Sequence, residues 1–265
     1  MSASNVVARV IVTSYCRQQW NCSVNNGKRL KPMALVYPHI QLSEVVEEHP
    51  SLIPMINRFG IRLGLGDKSV KMVCEAHGLD PDFLLTVINT YLNEDYFPEK
   101  KLQTFHTSQI IDYLTKTNLY YARYQLPNIE RHLQSFIQQS APDNPSLTLI
   151  GKFFHSFKTE LMARIQQDDT VWFPRCLTLC QQLESLPLPI AYTPAPEVEE
   201  DRIEALLADL KRILIRHLAG DYNENLCYAV IFALSSLEKD IKQHNRIRYR
   251  ILMPMVATME QLNAQ

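Results

Sequence analysis

Residues 221–262 read DYNENLCYAVIFALSSLEKDIKQHNRIRYRILMPMVATMEQL. Val230, Leu234, Leu237, Ile241, Ile251 and Met255 recur at alternating spacings of three and four, which is the seam of one long helix facing a shared core. Two polar residues, His244 and Arg248, interrupt that seam midway. Working outward, three more amphipathic stretches precede it, at about 107–139, 145–184 and 200–219. The connections at 140–145 and at Gly220 are short. A Pro-rich connector at 185–199, containing Leu186-Pro-Leu-Pro and Pro194-Ala-Pro196, cannot be helical and should run extended. Four long helices with short connections predict an all-α fold whose C-terminal part, 107–265, is an antiparallel four-helix bundle.

The second seam breaks as the fourth does. Leu147, Ile150, Phe154, Phe157 and Leu161 lead into Arg164 and Asp168, with Val171 next in register. In the first stretch, Ile111 and Leu114 lead to Asn118 and then Tyr121. An unpaired charge inside a bundle costs several kcal/mol, so these groups must find partners. We expect Asp168 to bridge Arg248 and Arg164, with His244 and Asn118 completing a buried polar network. The competing expectation is that both arginines snorkel to the surface.

The N-terminal half reads differently. Residues 1–33 hold five of the chain's 27 basic residues and none of its 28 acidic ones, which suggests a basic, poorly ordered extension over 1–40. Residues 41–95 predict a small helical domain: a short acidic helix after Ser43, a second at 51–59 ending at Gly60, a third capped by Asp67 and running to His77, and a fourth capped by Asp80 with Pro81 in first position. Residues 96–106 read as a linker. The segment 69–91 has helix–turn–helix spacing. Its second half, however, offers Asp80, Asp82, Glu94 and Asp95, which repel phosphate, so binding of nucleic acid is a minority expectation.

Composition narrows the chemistry. The 265 residues are 46% hydrophobic and 21% charged with a formal net charge of -1, which is globular composition. Seven glycines are few, and no phosphate-cradling glycine motif is present. No run of about 18 apolar residues predicts a membrane span. No secretory leader is legible at the N-terminus, so a cytoplasmic location is expected and the six cysteines read as reduced thiols. Cys176 and Cys180 share a helix face, as packing residues or as a thiol pair. His132, His155 and His217 have no second histidine at helical spacing. No catalytic nucleophile with its base can be nominated.

At this point the motifs resemble a known family, the hemerythrin-like di-iron proteins of the repair-of-iron-centres type. The second stretch reads Glu160-Leu-Met-Ala-Arg164-Ile-Gln-Gln-Asp168 and ends in Phe173-Pro174. The fourth reads Asp240-Ile-Lys-Gln-His244-Asn-Arg-Ile-Arg248 and ends in Leu252-Met-Pro254. Ile111-Asp112-Tyr113 through Leu126-Pro127, and Leu42 through Asn57-Arg-Phe-Gly60-Ile61, are similar to the family's first bundle helix and N-terminal domain. The resemblance covers about 41–262 and implies two iron ions held by four His and two Glu, in a protein of iron–sulfur centre repair and of nitrosative or oxidative stress.

The departures are as informative as the matches. The resemblance places ligands near Asn118 or Leu119, at Arg164 and Asp168, near 200–202, and at His244 and Arg248; of these His244 alone is kept, with Asp168 a conservative replacement. Guanidinium groups have no lone pair to offer a metal. The cysteine pair the family carries after Gly-Ile is also absent from Gly60-Ile61-Arg62-Leu63-Gly64-Leu65-Gly66. We therefore expect a degenerate member with no cofactor, or with di-iron only if the family role persists. The alternative is a metal-free interaction or regulatory module with a protein partner or a second copy of itself, and a DNA-associated regulator is the third reading.

Overall fold

Three prolines fall inside the long amphipathic stretches, and the helices pass straight through them. In the computed structural model, which describes residues 35–140, 144–183 and 201–263, residues 107–138, 145–182 and 224–263 each run as one continuous helix. The chain divides into the units Met1–Leu35 and Val36–Gln265, and the helices of the described residues belong to the second. The basic arm 1–33 and the Pro-rich connector 185–199 lie outside the described residues.

A proline ring collides with the carbonyl four residues back and has no N–H to give. All three helices meet this in one way. The residue before the proline donates its N–H to the carbonyl five residues back, closing a wider π turn. Leu126 bonds Tyr121 ahead of Pro127, Phe173 bonds Asp168 ahead of Pro174, and Met253 bonds Arg248 ahead of Pro254. The helical segments are α6 Thr107–Tyr120 and α7 Leu126–Gln138 around the turn Tyr121–Gln125, α8 Pro145–Gln167 and α9 Phe173–Gln182 around Asp168–Trp172, and α11 Glu224–Ile247 and α12 Met253–Asn263 around Arg248–Leu252, with α10 Arg202–Arg216 standing alone. The extra residue in each turn rotates the downstream half of the helix by about 100°. That is why Val171, expected in the second seam, is 60% exposed, and why the buried stripe resumes at Phe173 and Cys176.

Ahead of these lie α1 Leu42–Glu48, α2 Ile53–Arg58, α3 Val70–His77, α4 Pro81–Leu92 and α5 Glu99–Leu102, with a 3-10 turn at Pro50–Leu52. Asp80 caps α4 through Asp82 and Phe83, as its position before Pro81 predicts. Two expected starts differ. α3 is capped by Ser69, whose hydroxyl accepts from Met72, because Asp67 sits two residues too early to reach the first free N–H groups. α1 begins at Leu42 without a side-chain cap. Gly78 closes α3 at φ +63°, a left-handed position where a side chain would be strained. All the described secondary structure is helical apart from an isolated β-bridge between Gln41 and Ser69.

The helices bury two apolar cores. One joins Leu126, Ile129 and Phe136 of α7, Ile150, Phe157 and Leu161 of α8, Leu207 and Leu210 of α10, and Val230, Leu234, Leu237 and Ile241 of α11. Around it α7 packs on α11, α11 on α10, α10 on α8, and α8 on α7. The other core joins α1 to α6 with Phe173, Cys176, Ile251, Leu252 and Met255, so the apolar residues of 42–91 share a core with the far ends of the long helices. Leu102, within the stretch read as a linker, is fully buried there. α4 is buried from Phe83 through Tyr91, which leaves it no face to lay in a nucleic-acid groove.

Candidate functional site

Each π turn opens with a residue that faces the boundary between the two cores: Tyr121, Asp168 and Arg248. Tyr121 and Asp168 are buried, and the Arg248 side chain is 13% exposed. Thr117, Asn118, Asp240, His244 and Asn245 are buried at the same level, so a polar layer separates one core from the other. Its charges are paired, since isolated ones would be too costly there.

Asp168 accepts from Arg248 Nη1 at 2.5 Å, and the Arg248 guanidinium lies 4.2 Å from the centre of the Trp172 ring. Arg164 turns away from Asp168. Its Nη1 donates to Asp201 Oδ2 at 2.9 Å, and the Tyr249 hydroxyl donates to the same oxygen at 2.6 Å. The other Asp201 oxygen caps α10, accepting from Ile203 and Glu204 N–H at 3.0 and 3.1 Å. Burial alone would raise the Asp201 carboxyl; the Tyr249 hydroxyl, Arg164 and those two N–H groups outweigh it, so its pKa falls below the usual aspartate value. Asn118 likewise serves Asp169 at 3.1 Å, not Asp168. The single network expected around Asp168 is therefore two separate anchors. Asp201, already fixed by two backbone donors, is the better-oriented partner for Arg164.

A third pair has no counterpart in the seam pattern. Arg58, at the end of α2, forks onto Asp240 of α11: Nη1 meets Oδ1 at 3.0 Å and Nη2 meets Oδ2. Nη1 also reaches Thr117 Oγ1 at 3.3 Å, and the guanidinium lies 4.8 Å from the Tyr120 ring centre. The two side chains are 2% and 7% exposed. Burial works against the Arg58 charge, but Asp240, helped by Tyr113 and Tyr121, more than offsets it, so this group holds its proton more firmly than a free arginine. Asp240 stands one residue before the seam position Ile241. That is the one sequence signal of its burial, and nothing local names Arg58 as its partner 182 residues away.

His244 lies inside this layer, its ring 6.0 Å from that of Tyr121. Burial lowers its pKa well below the usual value, and Arg164 and Arg248 lower it further, so the imidazole is neutral. Its Nδ1 is 3.5 Å from Asn245 Oδ1, and Asn245 itself donates to Glu204 at 2.6 Å.

The donor set does not fit two iron ions. Where the resemblance expects imidazole and carboxylate, Arg164 and Arg248 present only N–H donors. The conservative replacement Asp168 already neutralises Arg248, and His244 sits in the field of two guanidinium groups. Among the described residues no group of three or more His, Cys, Asp or Glu is placed to hold a metal. Cys176 and Cys180 lie on the inner face of α9. Both are buried, burial and the neighbouring Cys180 push the Cys176 thiol up to about 12, and Cys180 Sγ lies 3.9 Å from Met259 Sδ. No helix among the described residues is long and apolar enough to cross a membrane. No protein-family model matches the chain, and no curated protein matches it.

Proposed function

We propose that the chain is a degenerate hemerythrin-like protein of the repair-of-iron-centres type, in which an antiparallel four-helix bundle keeps its shape without a di-iron centre. α7, α8, α10 and α11 are the four bundle helices, and α1–α4 correspond to the family's N-terminal domain. Ion pairs replace metal as the cross-links between helices: Asp168–Arg248 joins the second helix to the fourth, Arg164–Asp201 joins the second to the start of the third, and Arg58–Asp240 joins the N-terminal domain to the fourth. On this reading the protein acts through its surface, as an interaction or regulatory module related to stress and repair proteins.

The observation that carries this reading is that Arg164 and Arg248, at two positions where the resemblance expects metal ligands, are permanent cations each paired with a carboxylate, Asp201 and Asp168. Metal analysis of freshly purified protein expressed in iron-rich medium tests it. We expect iron far below one per chain and no oxo-bridge absorption band. Iron near two per chain, with that band, would restore the repair chemistry and end this proposal.

A further inference from the structure

A buried polar atom without a hydrogen-bond partner is rare in a native protein, because it has left water and gained nothing in return. Among the described residues six side-chain atoms are in that position. Four belong to the polar layer: Tyr121 Oη, Arg164 Nη2, His244 Nε2 and Arg248 Nε. The residues that carry them are neighbours. The Tyr121 and His244 rings are 6.0 Å apart, and Arg248 follows His244 by one helical turn. Arg164 and the Tyr249 hydroxyl share Asp201 Oδ2, and the Arg248 guanidinium lies 5.7 Å from the Tyr249 ring centre. Tyr121 and His244 are 0% and 1% exposed. The Arg164 and Arg248 side chains keep 14% and 13%, so the layer is not sealed from solvent.

The four atoms define the chemistry that would satisfy them. Each guanidinium uses one nitrogen on a carboxylate, Asp201 or Asp168, and holds another inside the protein. Arg164 Nη2 and Arg248 Nε can only donate, and the Tyr121 hydroxyl donates as well. His244 offers the opposite. Its Nδ1 faces Asn245 Oδ1, an oxygen whose orientation is set because the Asn245 amide nitrogen donates to Glu204. Nδ1 therefore carries the ring hydrogen, and Nε2 is left as a lone pair. A single water accepts two hydrogen bonds and cannot serve three donors. An anion with several oxygens can, and one that keeps an O–H can also donate to Nε2. The field has the matching sign: the charges that act most strongly on His244 are the guanidinium groups of Arg164, Arg248 and Arg58.

We propose that the polar layer binds a small, singly charged oxyanion that retains one O–H, of the size of hydrogencarbonate. Its oxygens accept from Arg164 Nη2, Arg248 Nε and Tyr121 Oη, and its O–H donates to His244 Nε2. This deepens the proposed function by naming a ligand for an iron-free layer, and it rests on that reading. The test of that reading counts iron and the test of this one measures anion binding, so each can fail alone.

The full chain is titrated with sodium hydrogencarbonate in a calorimeter, at constant pH and with ionic strength held by sodium chloride. Saturable binding is expected. Tyr121→Phe should weaken it about tenfold or more, because it removes one hydrogen bond to a charged group. In chloride alone the same variant should melt no lower than the parent, since it deletes a hydroxyl without a partner. Nitrate has the same planar shape and charge but no O–H, and should bind at least about tenfold more weakly. No heat of binding from hydrogencarbonate overturns the proposal and leaves waters as the occupants of the layer. Binding untouched by Tyr121→Phe overturns it by placing the ion elsewhere. Nitrate binding as tight as hydrogencarbonate overturns it by removing the donated O–H and with it the role of His244.

Discussion

Replacing Asp240 by alanine removes both acceptors of the Arg58 fork and leaves a guanidinium that is 2% exposed with Thr117 as its remaining hydrogen-bond partner. The Tyr120 ring still lies against the cation, but a ring face offsets only about 0.5–2 kcal/mol of its attraction. Breaking a buried pair by deleting one member costs about 3–5 kcal/mol, because the survivor is a charge without compensation. A domain of this kind is stable by roughly 5–15 kcal/mol, so the loss is a large fraction of the whole. Urea unfolding followed by far-UV circular dichroism should show a large drop in midpoint with the slope unchanged. Arg58→Ala should cost a similar amount by stranding Asp240. The pair Arg58→Met with Asp240→Leu, which removes both charges and keeps apolar volume, should recover most of the loss. A cycle in which the single variants each cost less than about 1 kcal/mol, or in which the double variant is as unstable as the sum of the singles, would refute the claim that the two groups are coupled in the interior.

Three further outcomes are expected. His244 has its pKa lowered by burial and by two arginines, so the unfolded chain binds a proton there that the native chain does not. Stability should therefore fall as pH drops below 6.5, by up to about 1.4 kcal/mol per pH unit from this group, and His244→Gln should flatten that slope in urea titrations at several pH values. Tyr249→Phe removes one hydrogen bond to the charged Asp201 from a half-buried position and should cost about 1–2 kcal/mol by the same assay; an unchanged midpoint would mean that Arg164 holds Asp201 without help. Cys176 is fully buried with its thiol pushed up to about 12, so it should resist a thiol reagent in the native protein and react on unfolding; rapid native labelling at Cys176 would contradict the packing described.

The sites of helical polarity were legible because periodicity is local. Asn118, Asp168 and His244 each stand where a three-and-four seam requires an apolar residue, and all three are buried. Their partners were not legible, since opposite charges are spread through the chain and a seam says nothing about which helix faces which. Asp168 does meet Arg248, but Arg164 meets Asp201 and Asn118 meets Asp169. Val171 shows a subtler failure. Its register was counted on an uninterrupted α-helix, and the π turn at Asp168–Trp172 shifted the count by one. Pro174 marks the place in the sequence, but a proline announces only that the regular ladder is disturbed. Whether the helix ends, kinks or widens depends on what packs around it.

By itself, the sequence determined what depends on neighbours along the chain. That covers the helical character of the described residues, the existence of four long helical stretches (107–138, 145–182, 202–216 and 224–263 in the structure), the Asp80-Pro81 start of α4, and the inward stripes Leu147 to Leu161 and Val230 to Ile241. The tertiary structure alone decided the single core shared by residues 42–91 with the ends of the long helices, and the Arg58–Asp240 lock between residues 182 positions apart. The physical reason is range. A helical turn is set within four or five residues, whereas a buried charge is stable only beside its counter-charge, and which counter-charge that is depends on how whole helices come to lie against one another.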